Sequence, residues 1–490
     1  MDRNTLLKIQ IIDILDSFQT PISLKELQEK IGYASIGTIR LNCKELQVII
    51  DELYTAKSYS LELLMNNGRG IQLIRSSSNL QTLKIYLYQK DLGFEIIREI
   101  LAKRSISTIQ FCLDNNISES KLRRKIKQIN CEIADYRVHI SCSATISLKA
   151  REVDVRRFYY VFLRGFYRQF DQITWFNTDN YLQLALQTEE YLKLSNNLTN
   201  LEMISFWIFI TYQAIDKKSP LLLSDKEADL MSRFKFPPKP AFLKNWEIDD
   251  WQYFLTAIHC SQLSNFELKT KDPAEEDFFY YASAHWVSLF SKHFRPLTAI
   301  EQKYVFEKIK QQYASFFFFK LNDAMLDQLC NSIALENMYA EFPYYFNRFQ
   351  AFWEEFTQTV PEYKQRQLYV YSVLTSVTLF SLENCLPQVS VYVHTEFCEL
   401  FNIYIHQKID LHFRNHYQLT FTQHPKDAQL VIGTTPTCRL FLLDEQESIV
   451  IRSNISEKDY YDIDQKLQAI VQKSLLPLPE KVGQYCLFDK

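Results

Sequence analysis

Five basic side chains lie within seven consecutive residues of the segment SESKLRRKIKQINCEIADY, which spans positions 118–136. They are Lys121, Arg123, Arg124, Lys125 and Lys127. Ammonium and guanidinium groups at this density bind phosphate oxygens through charge and hydrogen bonds, so the chemistry they offer is the holding of a polyanion. The apolar residues between them recur at helical spacing, and they are Leu122, Ile126, Ile129 and Ile133. The pattern predicts a helix over Ser118–Tyr136, capped by Ser118, with a buried apolar stripe and with the five basic residues outside it.

A short apolar segment, Thr108–Asp114, and a polar break at Asn115 and Asn116 precede this helix. Helix, tight turn and basic helix form the helix-turn-helix arrangement, whose second helix enters the major groove of DNA. We call Ser118–Tyr136 the second reader helix. An isolated basic run is more typical of a solvated helix face, but a similar pattern occurs near the N-terminus, and the pair favours nucleic-acid binding.

The N-terminal unit follows the same plan. Residues 5–18 predict a helix whose inward side chains are Leu7, Ile11, Ile14 and Phe18. Ser23 is expected to cap a second helix, LKELQEKI, with Glu26 completing a capping box. After the turn GYAS comes the first reader helix, whose inward side chains are Ile39, Cys43, Leu46, Ile50 and Leu53. Its outward side chains, and thus its candidate DNA contacts, are Thr38, Arg40, Asn42 and Lys44.

Two strand-like runs follow each reader helix and predict a winged helix in each unit. In the first unit the runs meet at NNGRG, where Asn-Gly indicates a hairpin and Arg69 stands at the tip, within reach of phosphate. In the second unit Val138–Leu148 alternates as a weaker hairpin, while Asn79–Leu101 and Ser105–Asp114 are predicted to be helices. The candidate DNA contacts of the second reader helix are Lys121, Arg123, Arg124 and Lys127.

Composition excludes several classes of protein. The chain has 490 residues and only 8 glycines, and no phosphate-binding loop of the GxGxxG or GxxxxGK type can be written. Ten cysteines without a CxxC pair indicate neither a disulfide framework nor a zinc site, and no apolar run is long enough to span a membrane, so a cytoplasmic location is expected. Residues 1–150 hold 21 Lys and Arg against 16 Asp and Glu, whereas the remainder is acidic. A basic N-terminal part fits contact with a polyanion.

Two stretches carry a resemblance to a known family. SLKELQEKIGYASIGTIRLNCKEL resembles the first reading unit of phosphotransferase-regulated transcription factors, and SESKLRRKIKQIN followed by REVDVRRFYYVFL is similar to the second reader and exit segment of the Mga/AtxA-type virulence regulators of low-GC Gram-positive bacteria. The family usually has a glycine before the Glu and Arg of the exit segment, where this chain has Ala150. The resemblance implies two helical regulatory domains (PRDs) phosphorylated on histidine by phosphotransferase-system phosphocarrier proteins. It also implies a C-terminal domain like a IIB phosphocarrier.

Amphipathic helices are predicted throughout residues 151–383, with a linker at Thr270–Asp277 between two blocks of similar length. The histidines of these blocks are His259, His285 and His293. Their spacing alone is typical of partly buried helix histidines. By the resemblance they are candidate phosphoacceptors, and a histidine with a pKa near 6.5 is nucleophilic at neutral pH.

After Pro387 apolar strands alternate with helices and predict a small, mostly parallel α/β sheet. The expected strands are VSVYV, YQLTF, AQLVIGT and RLFLL, and Ser456 with Asp459 is expected to cap a last helix. A IIB domain carries its reactive cysteine directly after the first strand, whereas this chain has His394 there and Cys398 four residues later, so the carrier chemistry is expected to be lost. His412 and His416 lack an acidic companion, and neither a metal site nor a cofactor is predicted.

These observations predict a multidomain, mainly helical regulator without enzymatic activity. The expected domains are winged helix-turn-helix units at 1–76 and 77–150, PRD-like domains at 151–272 and 273–385, and a IIB-like α/β domain at 386–490. The expected function is transcriptional regulation of a global or virulence type, with double-stranded DNA and phosphocarrier proteins as partners. A homodimer is expected to form through the aromatic-rich C-terminal domain, and the side chains expected to contribute are Phe397, Phe401, Tyr404 and Phe413. Two alternatives stay open at this point: an RNA-binding antiterminator with PRDs, and a phosphotransferase-system carrier protein.

Overall fold

The computed structural model describes residues 2–54, 61–66, 70–76, 80–167, 169–194, 197–261, 266–271, 277–441 and 446–474. The chain divides into two compact units, residues 1–271 and 272–490. This division falls within the segment that was expected to be a linker, while the finer division into five domains stays a prediction.

The first unit begins with three helices and a hairpin. Its elements are α1 (Arg3–Asp16), α2 (Leu24–Ile31), α3 (Ile36–Tyr54), β1 (Leu61–Asn66) and β2 (Gly70–Arg75). The predicted capping box is present: Glu26 N–H donates to Ser23 Oγ and Ser23 N–H donates to Glu26 Oε2. The inward face of α1 is shifted from the predicted one, because Ile12 and Leu15 are buried whereas Ile14 and Phe18 only pack against the edge of the core.

A second helix-and-sheet group follows. Its elements are α4 (Gln81–Gln89), α5 (Leu92–Lys103), β3 (Ser105–Ser107), α6 (Thr108–Asp114), α7 (Glu119–Glu132), β4 (His139–Cys142) and β5 (Thr145–Lys149). The single helix expected over Asn79–Leu101 is two helices, because Asp91 caps α5 by accepting from Gly93 N–H at 2.7 Å. The first residues expected in the short helix form β3, which pairs with β5 in the antiparallel sheet β3-β5-β4.

A helical block completes the first unit. It contains α8 (Glu152–Phe166), α9 (Asp179–Leu192), α10 (Leu198–Asp216), α11 (Asp225–Ser232), β6 (Phe234–Lys235), α12 (Ile248–Cys260) and β7 (Lys269–Thr270). Helix α10 is buried along nearly its whole length, and Phe206 and Phe209 on it join the same hydrophobic cluster as α5, α7 and α8. This shared core packs the helix-turn-helix region directly against the helical block.

The second unit combines a helical block with a small sheet. Its helices and strands are α13 (Asp277–His293), α14 (Ala299–Phe318), α15 (Asp323–Ser332), α16 (Leu335–Glu341), α17 (Pro343–Thr359), α18 (Arg366–Leu379), β8 (Gln388–His394), α19 (Glu399–Phe413), β9 (Gln418–Phe421), β10 (Leu430–Gly433), β11 (Glu447–Val450) and α20 (Glu457–Ser474). The helical block closes around an aromatic core that includes Trp286, Phe349 and Phe352.

The sheet of the second unit has the order β11-β10-β8-β9, and every neighbouring pair is parallel. Helices α19 and α20 pack into one cluster with the valines of β8. The strand expected at RLFLL is wrong over its described part, because Pro436–Phe441 forms a 3-10 helix. The strand at that edge of the sheet, next to β10, is β11 instead. No helix in the described ranges is long and apolar enough to cross a membrane.

Candidate nucleic-acid interface

The second reader helix is α7, and its predicted apolar stripe is confirmed: Leu122, Ile126, Ile129 and Ile133 are all buried. Ser118 caps the helix, since its Oγ accepts from Lys121 N–H at 3.3 Å. The helix ends at Glu132 and is followed by a 3-10 turn over Ala134–Tyr136. One side of α7 is therefore anchored in the core and the other is available to a partner.

Helix α6 and a short turn position the second reader helix. Asn116 in the turn has a φ of 49° in the left-handed region, which asparagine tolerates better than most residues. Ile117 N–H donates to Cys112 O at 3.0 Å, and Asn115 Nδ2 donates to Phe111 O at 3.0 Å. These bonds fasten the turn to the end of α6, directly before α7 begins.

The three-stranded sheet holds the other end of α7. Asn130 makes two bonds to one residue of β4: its Nδ2 donates to Ile140 O at 2.9 Å and its Oδ1 accepts from Ile140 N–H at 2.8 Å. Arg123 Nη1 donates to Cys142 O at 2.8 Å, while its Nε donates to Glu119 Oε1 at 2.8 Å. The hydrogen bond that Arg123 donates to Glu119 is the main cause that raises the pKa of Arg123. The hairpin predicted over Val138–Leu148 is thus a wing attached to the second reader helix.

The cations of α7 fall into three kinds. Lys121, Arg124 and Lys127 are exposed, and the described residues give their side chains no ion pair. Arg123 is about half exposed but is already paired with Glu119. The outward placement expected for Lys125 is wrong, because this side chain is only 5% exposed.

Lys125 instead lies between two carboxylates, those of Asp2 and Asp91. Its Nζ donates to Asp2 Oδ1 at 2.7 Å and lies 3.6 Å from Asp91 Oδ1. Asp2 N–H also donates to Asp91 Oδ2 at 2.5 Å. Gly93 belongs to the same contact, since a Cβ there would lie 2.9 Å from Lys125 Cε. This cluster, in which Asp91 and Lys125 are buried and Asp2 is about half exposed, joins the start of α1 to α5 and α7, so it sets the position of one winged unit relative to the other.

The first reader helix is α3. Its inward residues Ile39, Cys43, Leu46 and Ile50 are fully buried, as predicted. Thr38, Arg40 and Lys44 are exposed, and the described residues give Arg40 and Lys44 no ion pair. Asn42 is a correction: it is 2% exposed and its Nδ2 donates to Thr38 O at 2.9 Å, so it does not face outward. Arg69 lies outside the described residues, while the hairpin β1–β2 that carries it is present.

Buried ion pairs connect the second winged unit to the helical block. Arg104 Nη2 lies 2.9 Å from Glu152 Oε1, and Arg156 bonds the same carboxylate at 3.2 Å. Arg156 also lies 2.7 Å from Asp250 Oδ1 on α12, and its side chain is 1% exposed. Sequence spacing could not pair Arg104 with Glu152, or Arg156 with Asp250, because the two members of each pair are far apart in sequence.

The three candidate phosphoacceptors lie on α12 and α13. His259 is fully buried, and its Nδ1 accepts from Leu268 N–H at 3.3 Å. His285 stacks between Tyr281 and Phe356, and within the described residues its enclosed Nε2 has no hydrogen-bond partner. His293 Nε2 lies 2.9 Å from Glu355, which Lys292 also contacts. Each of the three rings thus has its own surroundings.

The C-terminal sheet places His394 at the end of β8 and the exposed Cys398 just before α19. His394 Nε2 lies 3.4 Å from Thr437 Oγ1. A search of the described residues finds no group of three or more His, Cys, Asp or Glu that could hold a metal ion.

Helix-turn-helix, attached wing and an exposed row of cations on the second helix define a DNA-binding fold of the winged helix-turn-helix class. Comparison with protein families makes the assignment more specific for the second winged unit: residues 76–163 match the Mga helix-turn-helix domain. The match begins just before α4 and includes most of α8. No curated protein was found to match the chain.

Proposed function

We propose that the chain is a transcriptional regulator that binds double-stranded DNA through α3 and α7. The observation that carries the proposal is the similarity of residues 76–163 to the Mga helix-turn-helix domain. The exposed Lys121, Arg124 and Lys127 on α7 support the proposal. Cations without acidic partners are free to bind DNA phosphates when the helix that carries them lies in the major groove.

The test is equilibrium binding of the full chain to random-sequence duplex DNA and to single-stranded RNA of equal length. The proposal expects duplex DNA to be bound more tightly, with an affinity that falls steeply as salt rises, because phosphate neutralisation releases counterions. A preference for the RNA would favour an antiterminator and overturn the proposal. Phosphate transfer from the chain to a sugar would instead indicate a phosphotransferase-system carrier.

We further propose that phosphotransferase-system phosphocarrier proteins control the regulator by phosphorylating His259, His285 or His293, and that it acts as an activator of the global or virulence type. A phosphoryl group adds about −1.5 to −2 charge and three acceptor oxygens, which is enough to move a domain contact. His259 is buried and His293 faces Glu355, so a phosphoryl group on either ring requires its surroundings to open. The modification would then be coupled to a change of conformation.

The phosphorylation proposal is tested by incubating the full chain with the general phosphotransferase proteins and radiolabelled phosphoenolpyruvate. Label is expected on the intact chain and is expected to fall in His259→Ala, His285→Ala or His293→Ala. His416→Ala, on an exposed histidine of the second unit, is the control and should keep full label. Unlabelled wild-type chain would overturn the phosphorylation proposal and leave DNA binding as a separate question.

A further inference from the structure

The outward face of the first reader helix carries an apolar residue that its own fold does not use. Leu41 is 57% exposed, and it belongs to no hydrophobic cluster in the described ranges. Leu41 stands one residue after Arg40 and three before Lys44, both of which are exposed. A single exposed leucine is ordinary on a protein surface, but here it sits among the cations expected to meet DNA.

Charge along α3 shows which half of the helix suits a polyanion. The first turns, from Ile36 to Lys44, contain Arg40 and Lys44 and no acidic residue. The acidic side chains all lie further along, and they are Glu45, Asp51 and Glu52. Glu45 is in addition paired with Lys8 at 2.7 Å. The N-terminal half therefore presents positive charge next to Leu41, and N-terminal residues of a recognition helix are the ones that contact base edges.

Gly37, one turn before Leu41, points to a close approach on the same face. A glycine in a helix costs about 1 kcal/mol relative to alanine. Here a Cβ would meet only Ser35 Oγ at 3.9 Å, so no contact among the described residues requires the glycine. Because Gly37 has no side chain, the backbone of α3 is open to close approach one turn before Leu41.

We infer that Leu41 is a specificity-determining residue that recognises the C5-methyl group of thymine in the major groove. Thymine is the base that presents an apolar group there, and apolar side chains are its usual partners. Arg40 and Lys44 hold the flanking phosphates, so affinity and base preference come from different side chains of one helix. This inference rests on the proposed DNA-binding function and adds the base class that the first reader helix selects.

The experiment first selects preferred duplexes from a random pool with the full-length wild-type chain. Each thymine of the selected duplex is then replaced singly by deoxyuridine, which removes only the methyl group. Wild-type affinity is expected to fall about fourfold at one or two thymines, the value of one buried methyl group. Leu41→Ala should bind the thymine and deoxyuridine duplexes equally. Leu41→Asn should shift selection toward adenine, which asparagine binds through two hydrogen bonds.

Val48→Ala is the matched control. Val48 is 58% exposed on the same helix, about 10 Å further from its N-terminus, and its replacement should leave the response to deoxyuridine as in the wild type. Wild-type binding that ignores deoxyuridine at every position would overturn the inference, as would a Leu41→Ala chain that still discriminates. If the wild type binds no duplex DNA at all, the proposed function itself fails, and the two failures are told apart by that first titration.

Discussion

Arg123 and Arg124 are neighbours in sequence but differ in what already holds them. Arg123 is bound by Glu119 and by the carbonyl oxygen of Cys142, whereas the described residues give Arg124 no partner. We expect Arg124→Ala to reduce the slope of log affinity against log salt by about 1, since one phosphate contact is lost. Arg123→Ala should reduce it by less, because Glu119 already neutralises that guanidinium. Anisotropy titrations of the full chain on duplex DNA at several salt concentrations measure both slopes.

Arg414→Ala, an exposed arginine of the second unit, is the control for this comparison and should leave the slope unchanged. Equal losses for Arg123→Ala and Arg124→Ala would show that the pairing with Glu119 does not matter.

Lys125 connects the two winged units through its contacts with Asp2 and Asp91, so its replacement should affect their stability. Lys125→Met leaves Asp2 and the buried Asp91 without their cation, and breaking one side of a buried pair costs about 3–5 kcal/mol in free energy of unfolding. We expect the full chain to unfold at a lower temperature, as measured by circular dichroism. We also expect it to bind DNA more weakly, with an unchanged slope of log affinity against log salt. Lys127→Met, two residues further on an exposed side, should show the reverse: normal stability and a shallower slope. A Lys125→Met chain as stable as the wild type would contradict the clamping role of this lysine.

The burial of a residue can be predicted from the sequence where helical periodicity determines it. It cannot be predicted where a hydrogen-bond or ion-pair partner determines it. The stripe of α7 and the inward residues of α3 followed from helical spacing alone. Lys125 and Asn42 did not, because a polar side chain is buried only if a partner satisfies it. For Lys125 that partner, Asp2, is 123 positions away. For Asn42 the partner is the Thr38 carbonyl oxygen in the preceding turn, a contact that helical spacing alone does not reveal.

At the scale of elements, capping chemistry predicted helix starts well, and short apolar runs predicted strands poorly. The boxes at Ser23 and Ser456 are both present. The apolar run at 439–443 predicts a strand, whereas its described part is a 3-10 helix. Four or five apolar residues fit either structure, and tertiary packing decides between them.

The start of α14 gives a pH-dependent prediction. A hydrogen bond from Arg295, with one from Thr298 N–H, lowers the pKa of Glu301 from 4.5 to about 2. Because the folded pKa is depressed, the stabilisation is present above pH 4.5 and is lost as pH falls toward 2. Glu301→Gln keeps the length of the capping side chain but removes its charge. It should lower stability by about 1 kcal/mol at pH 7 and flatten the decline between pH 4.5 and 2.

Chemical denaturation of the full chain at a series of pH values measures this decline. The exposed Glu341 provides the matched substitution, Glu341→Gln, which should leave the curve as in the wild type. If Glu301→Gln loses stability with pH as steeply as the wild type, the cap is not the source of the acid sensitivity.

At the scale of the whole molecule, the structure changes which side chains support the predicted homodimer. Phe413 fills the core of its own sheet domain and Phe401 packs against that core, so neither is spare surface. Phe397 and Tyr404 are 60% and 50% exposed, and Leu400 beside them is 76% exposed. Exposed apolar groups clustered at the start of α19 and just before it are the surface that a second copy would cover.

We expect the wild-type chain to sediment as a dimer at micromolar concentration and Leu400→Glu with Tyr404→Glu to sediment as a monomer. The DNA affinity of the double variant should fall about 100-fold, because linked half-site contacts are lost. Leu222→Glu, at an equally open site of the first unit, is the control and should remain dimeric. A wild-type chain that sediments as a monomer would contradict the dimer.

The series of buried ion pairs Arg104–Glu152–Arg156–Asp250 limits where this chain can be joined to a related chain in a chimera. Glu152 serves Arg104 on one side and Arg156 on the other, and Arg156 in turn needs Asp250. A chimera joined at residue 150 would therefore unite an arginine from one parent with a carboxylate from another, and any mismatch would leave a charge buried alone. A crossover beyond Asp250 keeps all four groups from one parent. The reading units and the first helical block are thus expected to be inherited together, as one evolutionary module.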